Sequence, residues 1–403
     1  MTEQAELPLA SRLSDFQNWL AEVTGSGWPW YVKRLAANDT LATHSHQVGP
    51  YFPKPAIFRL FPGIGEGGHN PDASFRCVID SHGTPERTLR AVWYNQATRD
   101  ECRVTRWGGG ESPVLAPDST GSVCVFAFHG DAGRDTELCH VWLCNLSEEE
   151  VLVDRTGPIE PGRPLLVVNG LQVVEAEADP DTSPCRLAEA DMPAAWLEQF
   201  PPARNIVAKS VELRQLRRRD ADARLLRRRD CEYEVFRALE SSWVLPRIRA
   251  GFESVDDFVA YGHSVSNRRK SRAGWSLELQ TREILLEEKI SFSHGATIEG
   301  NKKPDFLFPS VEAYRGGHGP LAMLAAKTTC KNRWRQMLNE ADRIPSKHLL
   351  TVQEGLSENQ FREMEGAGVR LVVPSPLQDR YPKSIRPHLI TLERFLAEWR
   401  TVT

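Results

Sequence analysis

The sequence predicts two domains: a β-rich N-terminal half and an α/β C-terminal half whose mixed sheet is flanked by helices. Three observations lead there. Before residue 175 the chain runs through short segments of alternating polarity, RAVWYN, CRVTRWGGG, GSVCVFAFHG, CHVWLCNLS and RPLLVVNG. Strands at that spacing, separated by turn residues, describe an antiparallel barrel or sandwich. After residue 205 helical periodicity takes over. Between them EAEADPDTSP is acidic, rich in Pro and Asp and without apolar periodicity, as a linker is. The expected boundaries are 1–175 for the first domain, 176–205 for the linker and 206–403 for the second. A chain of 403 residues is long enough to give each domain its own core.

Along the second half, VELRQLRRRDADARLLRRRD, CEYEVFRALESS and SVDDFVAYGHSVSNRR carry helical patterns, followed by a helix around LELQTREILLEE. The apolar runs FLF and LAMLAA read as neighbouring strands, VRLVV as a further buried strand, and LITLERFLAEWR as a closing helix. A helix is also expected from about Lys331, placing Arg333, Met337 and Glu340 on one face.

Bulk composition is that of an ordinary globular chain, with 40% hydrophobic and 26% charged residues. A net charge of −4 argues against a sequence-blind polycation of the histone type. The eight cysteines show no CxxC pair and no zinc spacing, so they are expected to be reduced thiols of a cytoplasmic protein. The N-terminus lacks the basic and apolar regions of a signal peptide, and no apolar run approaches the roughly 20 residues of a membrane span.

The chemistry concentrates between Asn301 and Asp342. Pro-Asp occurs at Asp72, Asp118, Asp181 and Asp305, and most such pairs are turn residues. Only Asp305 opens an apolar strand that is followed by a second apolar run closed by a lysine, Lys327. Two such strand ends meeting in a β-meander would place a carboxylate beside an ammonium. With a second acid they form a Mg²⁺-dependent phosphodiesterase site, where the cation neutralises phosphate charge and lowers the pKa of water. Two residues before Lys327, where the common PD…(D/E)xK pattern has an acid, stands Ala325. Glu340 and, from the preceding helix, Glu278 are the candidates to replace it.

These residues carry a family resemblance. SVSNRRKSRAGWSLEL, EGNKKPDFLFPS, KTTCKNRWRQMLNEAD and GVRLVVPSPL resemble the catalytic half of EcoRII-type (type IIE) restriction endonucleases. FQNWL, YVKRLAANDT, HQVGPY and VTRWGGG resemble the other half. The resemblance implies an N-terminal β-pseudobarrel DNA-binding domain and a C-terminal α/β restriction-endonuclease-like core. It further implies Mg²⁺-dependent cleavage of duplex DNA at a CC(A/T)GG-like palindrome by a homodimer, activated by a second cognate site on the N-terminal domain. A cytosine methyltransferase would protect the prokaryotic host.

Position by position, the resemblance makes Asp305, Lys327 and Glu340 catalytic, with Glu278 and Tyr314 also linked to the site and the three acids as metal ligands. Lys331 and Arg333 match the pair that reads C:G from the major groove, where Arg and Lys donate to guanine O6 and N7. Between them stands Asn332, where relatives carry an acid. Arg229 and Tyr233 match positions that hold flipped central bases, although Tyr233 equally continues the apolar helix face of Val235, Phe236 and Leu239. Arg269, Lys270 and Arg272 form a cationic run suited to phosphate. In the N-terminal half His46, Tyr51, Arg99, Glu101 and Arg103 match the effector-binding arms, with Cys102 where a cation is expected. Two other readings remain: a sequence-specific DNA-binding protein with an inactive nuclease half, and, more distantly, a nicking repair nuclease.

Overall fold

The computed structural model describes residues 9–43, 49–96, 99–130, 133–168, 171–172, 185–216, 219–317, 319–331 and 333–400. His46, Asn332 and the stretch EAEADPDTSP lie outside the described residues. The chain divides into two compact units. One comprises Met1–Ala178 with Glu354–Gln360 and Arg380–Pro382, the other Asp179–Gln353, Phe361–Asp379 and Lys383–Thr403.

Among the described residues the first unit is built on nine strands: β1 (Trp30–Arg34), β2 (Tyr51–Phe52), β3 (Asp72–Ile79), β4 (Arg87–Tyr94), β5 (Glu101–Thr105), β6 (Val123–His129), β7 (Leu138–Leu143), β8 (Leu165–Val168) and β9 (Leu171–Gln172). They form one sheet in the order β2-β5-β4-β3-β7-β6-β1-β8-β9, the pseudobarrel expected. Neighbours are antiparallel except β3 and β7, which run parallel. Alternation explains the half-buried strands: in β5, Cys102 and Val104 enter the core while Glu101 and Arg103 face outward. Strand β6 is apolar on both faces because both are covered. Cys124, Phe126 and Phe128 enter the sheet's own core, while Val123, Val125 and Ala127 pack with Phe16, Leu20 and Leu152 from two helices.

Among the described residues the second unit carries a five-stranded mixed sheet: β10 (Ser293–His294), β11 (Phe306–Phe308), β12 (Ala322–Ala326), β13 (Lys347–Leu350) and β14 (Val369–Val372), in that spatial order. β10, β11 and β12 are antiparallel, whereas β12, β13 and β14 are parallel. Every residue of β12 is buried, which is why LAMLAA shows no alternation. Phe306 and Phe308 are fully buried against Leu277, Leu324, Phe395 and their neighbours. Burial of each such phenylalanine contributes about 1.5–3 kcal/mol.

Of the first helical pattern, VEL ends a separate helix, Ala203–Leu213, and the chain leaves helical geometry before Asp220; the remaining patterns merge into two long helices, Ala221–Ala250 and Val255–Glu287. Asp220 caps the first by accepting from the Ala223 amide, and Ser254 caps the second through the Asp257 amide. Gly251, at φ 80°, turns the chain between them. Ion pairs lock the helices together: Arg228 is fully buried and bidentate on Glu287 at 2.8 and 2.9 Å, and Arg224 reaches Glu287 at 2.8 Å.

One expectation fails here. Cys185 and Cys231 form a disulfide, with Cα atoms 5.1 Å apart, so not all eight cysteines are thiols. The pairing spans 46 residues and arises because Cys185 packs with Met192, Trp196 and Val235 against the first long helix. Spacing within the sequence could not show it. The other six cysteines are buried free thiols. Among the described residues no helix is long and apolar enough to cross a membrane.

Candidate active site

Asp305 immediately precedes β11 and Lys327 immediately follows β12, so the antiparallel pairing of these strands brings the two side chains together. Lys327 Nζ lies 3.0 Å from Asp305 Oδ2 and 3.4 Å from Oδ1. The Ala326 amide donates to Oδ2 at 2.8 Å, and the Lys327 amide donates to the Leu350 carbonyl, tying the lysine to β13. The carboxylate is therefore held by backbone as well as by charge. Ala325 is fully buried within β12, which leaves the usual place for a second acid filled by a methyl group.

Glu340, the candidate for that role, stands on a different kind of support. The expected α-helix from Lys331 is instead a short 3₁₀ segment, Trp334–Asn339, and Glu340 is the extended residue just past its end. The reason is local: Trp334 and Met337 share one face at a three-residue spacing and both are buried. The chain then turns sharply at Ala341, φ 50°. Burial, and next the charge of Asp305, push the Glu340 carboxyl above the ordinary carboxylate range, against the opposing pull of Lys327, Lys347 and Lys302. Two carboxylates thus share one field, and a divalent cation would relieve their repulsion. Among the described residues no three His, Cys, Asp or Glu side chains are grouped as metal ligands. Mg²⁺ does not require such a cage, since it is usually held by one or two carboxylates together with water and substrate phosphate. Asp305 and Glu340 fit that requirement.

Glu278, on the Val255–Glu287 helix, is turned to a residue the sequence reasoning missed. His294 Nε2 lies 2.5 Å from Glu278 Oε1. The only signal in the sequence was an isolated histidine, which is weak. Tyr314 is buried, and its hydroxyl donates to Glu299 Oε1 while accepting from the Arg343 amide at 3.3 Å. Burial first, and then Glu299, push the phenol up to about 12. Glu299 in turn accepts from the Asp342 amide at 2.9 Å, so this network braces the segment just beyond Glu340.

The expected DNA-contacting residues of this unit fall into two groups. Lys331 and Arg333 lie in the turn before the 3₁₀ segment, Arg333 exposed. Gln353, buried and also missed, accepts from the Cys330 and Lys331 amides at 2.9 and 3.2 Å and holds that turn in place. The helix cations sit differently. Arg272 is buried, bonded to Glu232 at 2.9 Å and stacked over the Tyr233 ring at 4.9 Å. Arg269 grips Glu240 at 2.7 and 2.8 Å. Arg229 is buried and Tyr233 half-buried on the facing helix, while Lys270 is half-buried.

In the first unit, Tyr51 and Arg103 are direct partners across β2 and β5. Arg103 pairs with Glu101 at 3.1 Å and donates to the carbonyls of Asn38 and Gly49. Lys33, which the sequence reasoning did not select, donates to the Tyr51 carbonyl and pairs with Asp39 at 2.7 Å. These residues line a cleft of about 530 Å³ together with Arg34 and Arg163. Arg99 is exposed nearby in sequence, and Cys102 points into the core, away from that surface.

Comparison with known proteins extends over both units. The family description "EcoRII C terminal" matches residues 236–396, and "Restriction endonuclease EcoRII, N-terminal" matches residues 24–170. The type II restriction enzyme EcoRII of Escherichia coli is 42% identical over a 403-residue alignment, covering 96% of this chain and 97% of that protein. Among solved structures, metal-depleted Ecl18kI in complex with uncleaved, modified DNA is similar over 50% of this chain and 78% of its own, at 19% identity and TM-score 0.43. A complex of the restriction endonuclease PspGI with substrate DNA is similar over 50% of this chain and 92% of its own, at 15% identity and TM-score 0.42.

Proposed function

Because the chain belongs to the EcoRII family of type II restriction endonucleases, we propose that it hydrolyses both strands of duplex DNA at a CC(A/T)GG-like palindrome. The observation that carries the placement of this chemistry is the Asp305–Lys327 pair at adjoining strand ends, with Glu340 in its field. Asp305 and Glu340 would hold Mg²⁺, with Glu278 as a third acid. The ion, when bound, neutralises phosphate charge and lowers the pKa of the attacking water. Lys327 directs its ammonium at the charge that develops on the phosphate. Tyr314 acts on the site through the Glu299–Asp342 brace.

Lys331 and Arg333, with Asn332 between them, read the C:G pairs, and Arg229 and Tyr233 receive the central bases. Lys270 serves the backbone side of the duplex, while Arg269 and Arg272, held by Glu240 and Glu232, support it from within the helix pair. In the N-terminal domain, taken as residues 1–175 and joined through 176–205 to the catalytic domain 206–403, a second site is bound by His46, Tyr51, Arg99, Glu101 and Arg103. A palindromic target is matched by a two-fold symmetric homodimer. The enzyme works in the prokaryotic cytoplasm beside a cytosine methyltransferase that protects the same sequence.

Cleavage of phage DNA lacking cytosine methylation, with Mg²⁺ and with EDTA, tests this reading. Fragment ends confined to one CC…GG palindrome and dependent on Mg²⁺ are expected, with single-site duplexes cut more slowly than two-site ones. Specific binding without cleavage would instead mean a DNA-binding relative with an inactive nuclease half.

A further inference from the structure

His294 has no role in the chemistry derived so far, yet three contacts fix it beside the site. It forms β10 with Ser293 and pairs with Phe306, the residue after Asp305. Its ring stacks on the Phe306 ring, with centroids 5.0 Å apart and planes inclined by 20°. The next amide, Gly295 N, donates to the Asp305 carbonyl at 3.0 Å. From this position Nε2 reaches Glu278 Oε1, with the two side chains 24% and 11% exposed. A carboxylate only accepts, so the imidazole nitrogen is the donor.

We propose that His294 is a positioning residue of the cleavage site: its Nε2–H holds the Glu278 carboxylate against the Asp305 strand and thereby sets the Mg²⁺ requirement of cleavage. A carboxylate on a long helix has rotamers to choose from, and one strong hydrogen bond selects among them. Oε1 is engaged, which leaves Oε2 for a cation or its water. Groups that orient metal-binding side chains in this way alter metal affinity by about 10- to 100-fold when removed. The inference rests on the reading of Glu278 as the third acid of the site.

The test is a mutant cycle in the full-length protein. His294→Phe keeps the ring on Phe306 and removes the donor, His294→Gln restores a donor at similar reach, and Glu278→Gln removes the charge. Two quantities are measured: half-saturating Mg²⁺ for single-turnover cleavage, and Ca²⁺ binding by calorimetry to enzyme on a duplex with a non-hydrolysable target linkage. The expected result is a rise of about 10-fold or more in both for His294→Phe, near wild-type values for His294→Gln, and no further loss in the His294→Phe/Glu278→Gln double variant. DNA affinity in EDTA stays unchanged. A shift for Glu278→Gln but none for His294→Phe, or additive losses in the double variant, overturns the role of His294. No shift for Glu278→Gln overturns the assignment of Glu278 itself, and the inference falls with it. His294→Asn, too short to reach Glu278, replaces the Phe variant should that one not fold, with the same outcomes.

Discussion

Replacing Lys327 with Met probes the site where its geometry is best defined. Met has similar length and an apolar stem, and it removes the charge. Asp305 keeps its hydrogen bond from the Ala326 amide at 2.8 Å, and the strand pairing around it is untouched. The protein should therefore fold and bind DNA much as wild type does. The loss is catalytic. Taking away one preorganised donor to developing charge costs about 3–4 kcal/mol, or about 10²- to 10³-fold in rate. The carboxylates add to this. Lys327 sits 3.0 Å from Asp305 and also draws the Glu340 carboxyl downward. Unit charges about 4 Å apart near a protein surface interact by about 4 kcal/mol before solvent screening. With the pair 26% and 14% exposed, that figure is an upper bound, so we expect the larger end of the range. Single-turnover cleavage of a cognate duplex at saturating enzyme and Mg²⁺ measures the rate, and a gel shift in EDTA measures binding. A variant cutting within about 10-fold of wild type, or losing binding as much as rate, would refute the assignment.

Three further outcomes concern stability. His348 is buried, and burial first, then the charge of Arg370, hold its pKa at about 4 against the opposing pull of the Met323 backbone. Its contribution is present above the unfolded value near 6.5 and lost as pH falls toward 4, by about 2–2.5 kcal/mol between pH 7 and 4.5; urea unfolding of His348→Leu over that range should show a loss smaller by that amount. Asp222, raised to about 6 by burial, takes up protons on folding, so stability falls as pH rises from about 4 to 6. Asp222→Asn should remove that slope, a relative gain of about 2–2.5 kcal/mol at pH 7 over pH 4. Arg272→Met breaks a buried pair and leaves Glu232 without its guanidinium; a loss of about 3–5 kcal/mol is expected in denaturant unfolding, whereas unchanged stability with a shallower salt dependence of DNA binding would make phosphate its main partner.

What the sequence made legible was local. Alternating segments announced the first sheet, and an Asp and a Lys at the ends of two apolar runs announced the Asp305–Lys327 pair, because an antiparallel meander needs only a short connection. The parallel β3–β7 pair, the Cys185–Cys231 bridge and the His294–Glu278 contact were illegible, since each depends on which elements pack together. Glu340 was singled out on a helical reading that the structure corrects. Period 3.6 placed it on a helix face with Met337, while the chain instead presents it just past a 3₁₀ segment. It still reaches the field of Asp305 because Trp334 and Met337 anchor that segment in the interior.

The arginines show where local reading stops. A run such as NRRKSR looks like a phosphate surface because every cation in it is unpaired in sequence. Pairing is decided elsewhere: the acids that hold Arg269 and Arg272 stand 29 and 40 residues earlier, and those of Arg224 and Arg228 stand 63 and 59 residues later. Only knowledge that the two long helices lie side by side could match them. This also bears on the net charge of −4. A DNA enzyme that commits much of its arginine to internal ion pairs cannot rely on bulk positive potential for affinity. Binding would then rest on a few cations placed by backbone; the proposed base reader Lys331, in the turn that Gln353 holds, is of this kind, and such contacts favour specificity over salt-driven attraction.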